Sequence, residues 1–97
     1  MSNFILLKRS EKFVKELYPK LQEVDKVFRD QLKRSSLSIA LNLAEGQAKN
    51  GADRRRFYKI AYGSARETLC AMRILDFDLS EIDQICAMLY RLKENAK

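Results

Sequence analysis

The chain has 97 residues, 46% apolar and 33% charged, with 19 lysines and arginines against 13 acids for a net charge of +6. That length fits one domain, the composition is globular and not disordered, and the basic excess suits a polyanionic partner without requiring one. Three glycines, one proline and no histidine favour helix and remove the commonest general base and metal ligand.

The run Phe4-Ile5-Leu6-Leu7 is too short for a signal-peptide core or a membrane span, so the expected location is the cytoplasm. Helical periodicity dominates from about Lys8. The first helix carries Phe13, Val14, Leu17, Tyr18 and Leu21 at three- and four-residue spacing, and Pro19 must kink it or end it. Asp25 is placed to cap a second helix from about Lys26 to Lys49, which stops at the turn signal Asn50-Gly51. Asp53 suits the cap of a third helix from about Arg54 to Leu75. Asp76-Phe77-Asp78-Leu79 leads into a fourth helix, where Ser80 with Asp83 resembles a capping box. That helix places Ile82, Ile85, Cys86, Leu89 and Leu92 on one face. Cys70 and Cys86 read as two buried free thiols in a reducing compartment. Short connections make successive helices antiparallel, so the expected fold is all-α, an antiparallel up-down four-helix bundle over residues 1–97.

The second helix is the informative one. Phe28, Leu32, Ile39 and Leu43 form one apolar stripe, and Leu37, Leu41, Ala44 and Ala48 form another on roughly the opposite side. One stripe serves the core. A domain this small is marginal alone, and the second stripe points to an interface with further copies of the chain. Asn42, Glu45, Arg66 and Glu67 lie among these apolar positions, and the expected arrangement is a polar network between the second and third helices. Ala61, Gly63, Ser64 and Ala65 allow a neighbouring helix to come close.

The cations are organised. Arg55, Lys59, Arg66 and Arg73 fall within roughly 40° of one another on the third helix and make one basic line. Arg54, Arg55 and Arg56 open that helix, where the dipole disfavours cations and an anion would reverse the sign. Lys49 extends the cluster. Asp76, Asp78, Glu81 and Asp83 gather at the other end, so the molecule is expected to be electrically polar along its length. Tyr58 and Tyr62 flank the basic line, either to stack on bases or to pack against a neighbouring helix. RNA or DNA is thus the leading partner, and an acidic protein met by the same basic face is the alternative. No Ser/His or Cys/His pair, glycine-rich phosphate loop or metal-spaced cysteine cluster occurs, so no catalysis, cofactor or metal is expected.

The segment Arg34-Ser-Ser-Leu-Ser-Ile-Ala-Leu-Asn-Leu-Ala-Glu-Gly46 resembles the signature of the bacterial four-helix bundle family of 23S rRNA intervening sequence proteins. A second block, Arg56-Phe57-Tyr-Lys-Ile60-Ala61-Tyr-Gly63-Ser64-Ala-Arg66-Glu67, follows in the family's order. The matching positions are Asn42, Glu45, Gly46, Gly63, Ser64 and Glu67. Leu41 stands where many members have Ser or Pro-Ser, and Pro19 to Val27 lacks the frequent Tyr-Gly-Leu-Thr segment. The resemblance implies an antiparallel four-helix bundle that assembles as a homopentamer. It also implies, through a related branch that serves diversity-generating retroelements, a basic surface that works with a reverse transcriptase and nucleic acid.

Overall fold

Four helices and one tight turn follow each other along the chain: α1 (Ser2–Leu17), a 3-10 turn (Tyr18–Leu21), α2 (Lys26–Gln47), α3 (Gly51–Ile74) and α4 (Ser80–Asn95). They come from a computed structural model that describes residues 2–96; Met1 and Lys97, the ends of the expected domain, lie outside the described residues. At about 1.5 Å per residue α3 is some 36 Å long. It therefore runs most of the 41 Å long axis of the molecule.

One apolar cluster draws on all four helices. Leu6, Phe13 and Leu17 come from α1, Leu32, Ile39 and Leu43 from α2, Tyr58, Ala61, Ala65 and Leu69 from α3, and Ile82, Ile85 and Leu89 from α4. The direction of α2 against α3 is fixed by three close approaches: Ser35 to Thr68, Ser38 to Ser64, and Gly46 to Tyr58. As one number rises the other falls, so these two helices are antiparallel.

The first helix begins at Ser2, not near Lys8, because Leu6 is buried and Leu7 packs on the core. The run that opens the sequence is thus the first turn of α1. Pro19 ends the α-helix, and the backbone tightens into the 3-10 turn with Pro at its start, where the missing N–H costs nothing. Asp25 caps α2 as expected, accepting from the Val27 amide at 3.1 Å.

Two other caps differ from expectation. The third helix starts at Gly51, and Asn50 holds the cap position, which leaves Asp53 inside the first turn. Gly51 has φ +54, a left-handed conformation that glycine adopts without strain. At α4 the Ser80–Asp83 box does not form. Asp78 instead accepts from both the amide (3.0 Å) and the hydroxyl (2.7 Å) of Ser80. Those two bonds hold the Asp78 carboxyl below its usual range. The end of α3 closes with the Phe77 amide bonded to the Met72 carbonyl (3.0 Å) and the Asp76 amide to the Arg73 carbonyl (3.1 Å). This is the Schellman arrangement, with Asp76 at φ 59 in the place glycine commonly takes.

The first and last helices are clamped by one guanidinium. Arg9 donates to both carboxylate oxygens of Glu81, at 2.6 and 2.9 Å, and also to Gln84. The bond from Arg9 holds the Glu81 carboxyl below its usual range. The acidic end is less polar than the sequence implied. Lys20 lies close enough to Asp78 to favour its ionised form, and Lys26 pairs with Asp30 at 2.6 Å near the same end. Among the described residues no helix is long and apolar enough to cross a membrane.

Candidate interaction surfaces

The second stripe of α2 faces outward. Leu37 is 41% exposed and Leu41 58%, and Ala44 and Ala48 are exposed beside them. The first stripe is buried or packed on the core, so α2 presents apolar side chains on two opposite sides. Ile60 on α3 is 41% exposed as well.

Polar side chains join α2 to α3, though not those expected. The Ser38 and Ser64 hydroxyls are 2.7 Å apart, and the Asn42 amide donates to both the carbonyl (2.8 Å) and the hydroxyl (3.0 Å) of Ser38. Deeper in, the Thr68 hydroxyl lies 2.8 Å from that of Ser35. Asn42 therefore belongs to the network, but Glu45 and Glu67 do not. Glu45 is exposed and pairs with Lys49 at 3.8 Å, and Glu67 is exposed on the rim of an outer groove between α2 and α3. Ser64 stood out in the sequence only as a small residue, and the hydroxyls of Ser35 and Thr68 escaped notice because small hydroxyl residues also serve as helix surface.

Replacing Thr68 with valine should leave the buried Ser35 hydroxyl without this partner and cost about 1–3 kcal/mol. Adding Ser35→Ala to it should recover most of the loss, since removing both partners is far cheaper than removing one. Urea denaturation of the two variants measures the difference.

The two glycines of the signature have opposite surroundings. A Cβ built on Gly46 would lie 2.5 Å from Cε1 and 2.8 Å from Cδ1 of the Tyr58 ring. A Cβ on Gly63 would meet nothing within 4 Å. Ala61, Ser64 and Ala65 are turned inward and buried, so of the four small residues Gly63 alone faces outward.

The basic residues divide into two sets. Arg54 is engaged by the chain itself: its guanidinium donates to the carbonyls of Gly46 (3.2 Å) and Gln47 (3.4 Å) at the end of α2. A cation there complements the negative end of that helix. With α3 starting at Gly51, the arginine triplet also lies beyond the first three helical positions, so the expected clash with the dipole is small. Arg56 pairs with Asp53 at 3.5 Å and stands over the Phe57 ring at 4.4 Å. The second set is free: among the described residues Arg55, Lys59, Arg66 and Arg73 make no ion pair within 4 Å. Lys59, Arg66 and Arg73 are exposed and Arg55 half-buried.

Neither tyrosine beside this line is open to a base. Tyr58 is fully buried. Tyr62 packs against Tyr90 of α4, with centroids 5.8 Å apart, and the Lys93 ammonium sits over both rings at 5.1 and 4.5 Å. Cys86 is buried, and burial pushes its thiol above the ordinary range; Cys70 is exposed, against expectation, on the outer side of α3. Among the described residues no group of three or more acidic or cysteine side chains is placed to hold a metal.

The sequence model of the 23S rRNA-intervening sequence protein family matches residues 2–95. The chain belongs to this family. Curated proteins and solved structures give no match to it. For this 23S rRNA-intervening sequence family member, the signature positions now have physical surroundings: Gly46 seats Tyr58, Ser64 meets Ser38 across the α2–α3 seam, Asn42 braces that Ser38 from within α2, and Glu45, Gly63 and Glu67 lie on the outside.

Proposed function

We propose that the protein is a non-enzymatic homo-oligomer that contacts RNA or DNA through α3. The observation that carries this reading is the line of Arg55, Lys59, Arg66 and Arg73, which is exposed over most of its length and free of internal carboxylate partners. Cations spaced along some 27 Å of helix are suited to successive phosphates, and released counterions supply the affinity. The reading of self-association rests on the outward Leu37–Leu41 stripe, and a pentamer is the assembly that family resemblance implies. On the same resemblance, a reverse transcriptase is a further partner and the setting is bacterial; the cytoplasm is the compartment that the short Phe4–Leu7 apolar run suggests.

Salt titration tests the nucleic-acid reading. Affinity for a fluorescent single-stranded or duplex oligonucleotide should fall linearly in log–log form, with a slope near −0.7 to −0.9 per phosphate engaged. No binding at about 50 mM salt would overturn it, and capture of an acidic protein that survives nuclease would favour the alternative.

A further inference from the structure

The aromatic surface that the basic line lacks on α3 stands beside it on α4. Three proximities set these two helices antiparallel and level. Tyr62 packs against Tyr90. Glu94 is held below its usual range by the bond from Lys93 and, more weakly, by the nearby Lys59. The Cys86 thiol, pushed up by burial, is drawn back by the nearby Arg66. Residue n of α3 therefore stands beside roughly residue 152 − n of α4. Tyr90 is thus level with a point between Lys59 and Arg66, two exposed cations about 10 Å apart along the axis.

Tyr90 is 50% exposed. A helical side chain leans back over the turn before it. On that side its neighbours on α4 are Ala87, a single methyl group, and Cys86, which is buried. The opposite flank of the ring is fixed. Tyr62 is tilted against it, and the Lys93 ammonium stands 4.5 Å from its centroid. Lys93 is itself anchored, with a side chain only 14% exposed that donates to Glu94 at 2.7 Å. A ring already held in place loses little further freedom when a flat ligand covers it.

From this we infer that Tyr90 is a stacking platform for an unpaired base, with Lys59 and Arg66 on the phosphates to either side, and that the partner is a single-stranded nucleic acid. In a duplex each base is already stacked and paired, and an unpaired base is the one that offers a face to an aromatic side chain. Every base has such a face, so the contact should tolerate any sequence. The inference rests on the nucleic-acid reading of α3 and adds the class of strand and the residue that selects it.

The test compares a short oligothymidylate with an abasic strand of equal length, which carries the same phosphates and nothing to stack. The protein should bind the oligothymidylate about 5- to 150-fold more tightly. Tyr90→Leu keeps an apolar side chain without a ring; it should erase that preference while abasic binding and the salt slope stay as they were. Tyr90→Phe should preserve it. A second measurement needs no loss of packing. The chain has four tyrosines and no tryptophan, so tyrosine emission is read directly. Oligothymidylate should quench that emission, and Tyr90→Phe should bind as well with most of the quenching gone.

Equal affinity of the unaltered protein for the two strands, or quenching that survives in Tyr90→Phe, overturns the stacking platform and leaves the phosphate line standing. So does a Tyr90→Leu chain that loses both strands alike, since that marks a packing residue. A duplex with oligoadenylate that quenches as strongly overturns the choice of strand. Failure to bind any of these at about 50 mM salt removes the nucleic-acid reading and the platform with it.

Discussion

Reversing Arg55, Lys59 and Arg73 to glutamate should reduce nucleic-acid affinity by about a hundredfold or more at 0.1 M salt and lower the salt slope by about two to three. The three side chains have no ion pair within the subunit among the described residues, so their loss leaves no internal carboxylate stranded. Folding should be nearly unaffected, since surface changes of this kind usually stay within about 0.5 kcal/mol each. Net charge falls from +6 to zero, because each reversal removes two units. A control with the same net charge is needed, and reversing Lys8, Lys12 and Lys15 on α1 provides it. If both triple variants bind equally weakly, overall charge explains binding and the α3 line has no special part. If only the α3 variant fails, the surface is located. Fluorescence anisotropy at three salt concentrations reads both.

The second large effect is expected at Gly46. Alanine there places a methyl group 2.5 Å from the Tyr58 ring, and that ring is fully enclosed. Helix propensity favours alanine by about 1 kcal/mol, so the sign is a contest between propensity and space. Overpacking a close-packed core typically costs about 1–3 kcal/mol, and a rigid ring held from all sides has little freedom to yield. Space therefore wins, and Gly46→Ala should lower the melting temperature by several degrees. Trimming the ring with Tyr58→Leu should make the two substitutions strongly non-additive, which a double-mutant cycle detects. Gly63→Ala supplies the contrast: a Cβ there meets nothing within 4 Å of the chain, so the same change should stabilise by up to about 1 kcal/mol. Additive behaviour of Gly46 and Tyr58 would show that the ring moves aside.

Much of the fold was legible because it depends on periodicity. The buried faces of α2 and α4 appear in the sequence at three- and four-residue spacing, and Asp25 and Asn50-Gly51 mark boundaries by their own chemistry. The double stripe on α2 was visible for the same reason. What escaped depends on distance across the fold. Phe4-Ile5-Leu6-Leu7 reads only as too short for a signal core or a membrane span, and its place is in a helix that starts at Ser2 and buries Leu6. Ser80 and Asp78 both suit a cap, and the path of the preceding turn decides between them. Cys70 and Cys86 look alike as letters, yet one lies outside and the other under α3 and α4. The charge count on the third helix was correct, but its beginning three residues earlier changed the part of Arg54 from exposed anion ligand to internal cap of α2. Asp76 in a left-handed conformation left only a weak signal, since aspartate tolerates that region but is also ordinary in any turn.

The two cysteines give the molecule a built-in clock. A thiol reagent should modify Cys70 in a fast first phase, while Cys86 reacts only when the seam between α3 and α4 parts. In a Cys70→Ser chain, the rate of the remaining reaction then reports how often that seam opens. Its dependence on reagent concentration separates the opening rate from the opening equilibrium, all without a dye, a label or a denaturant.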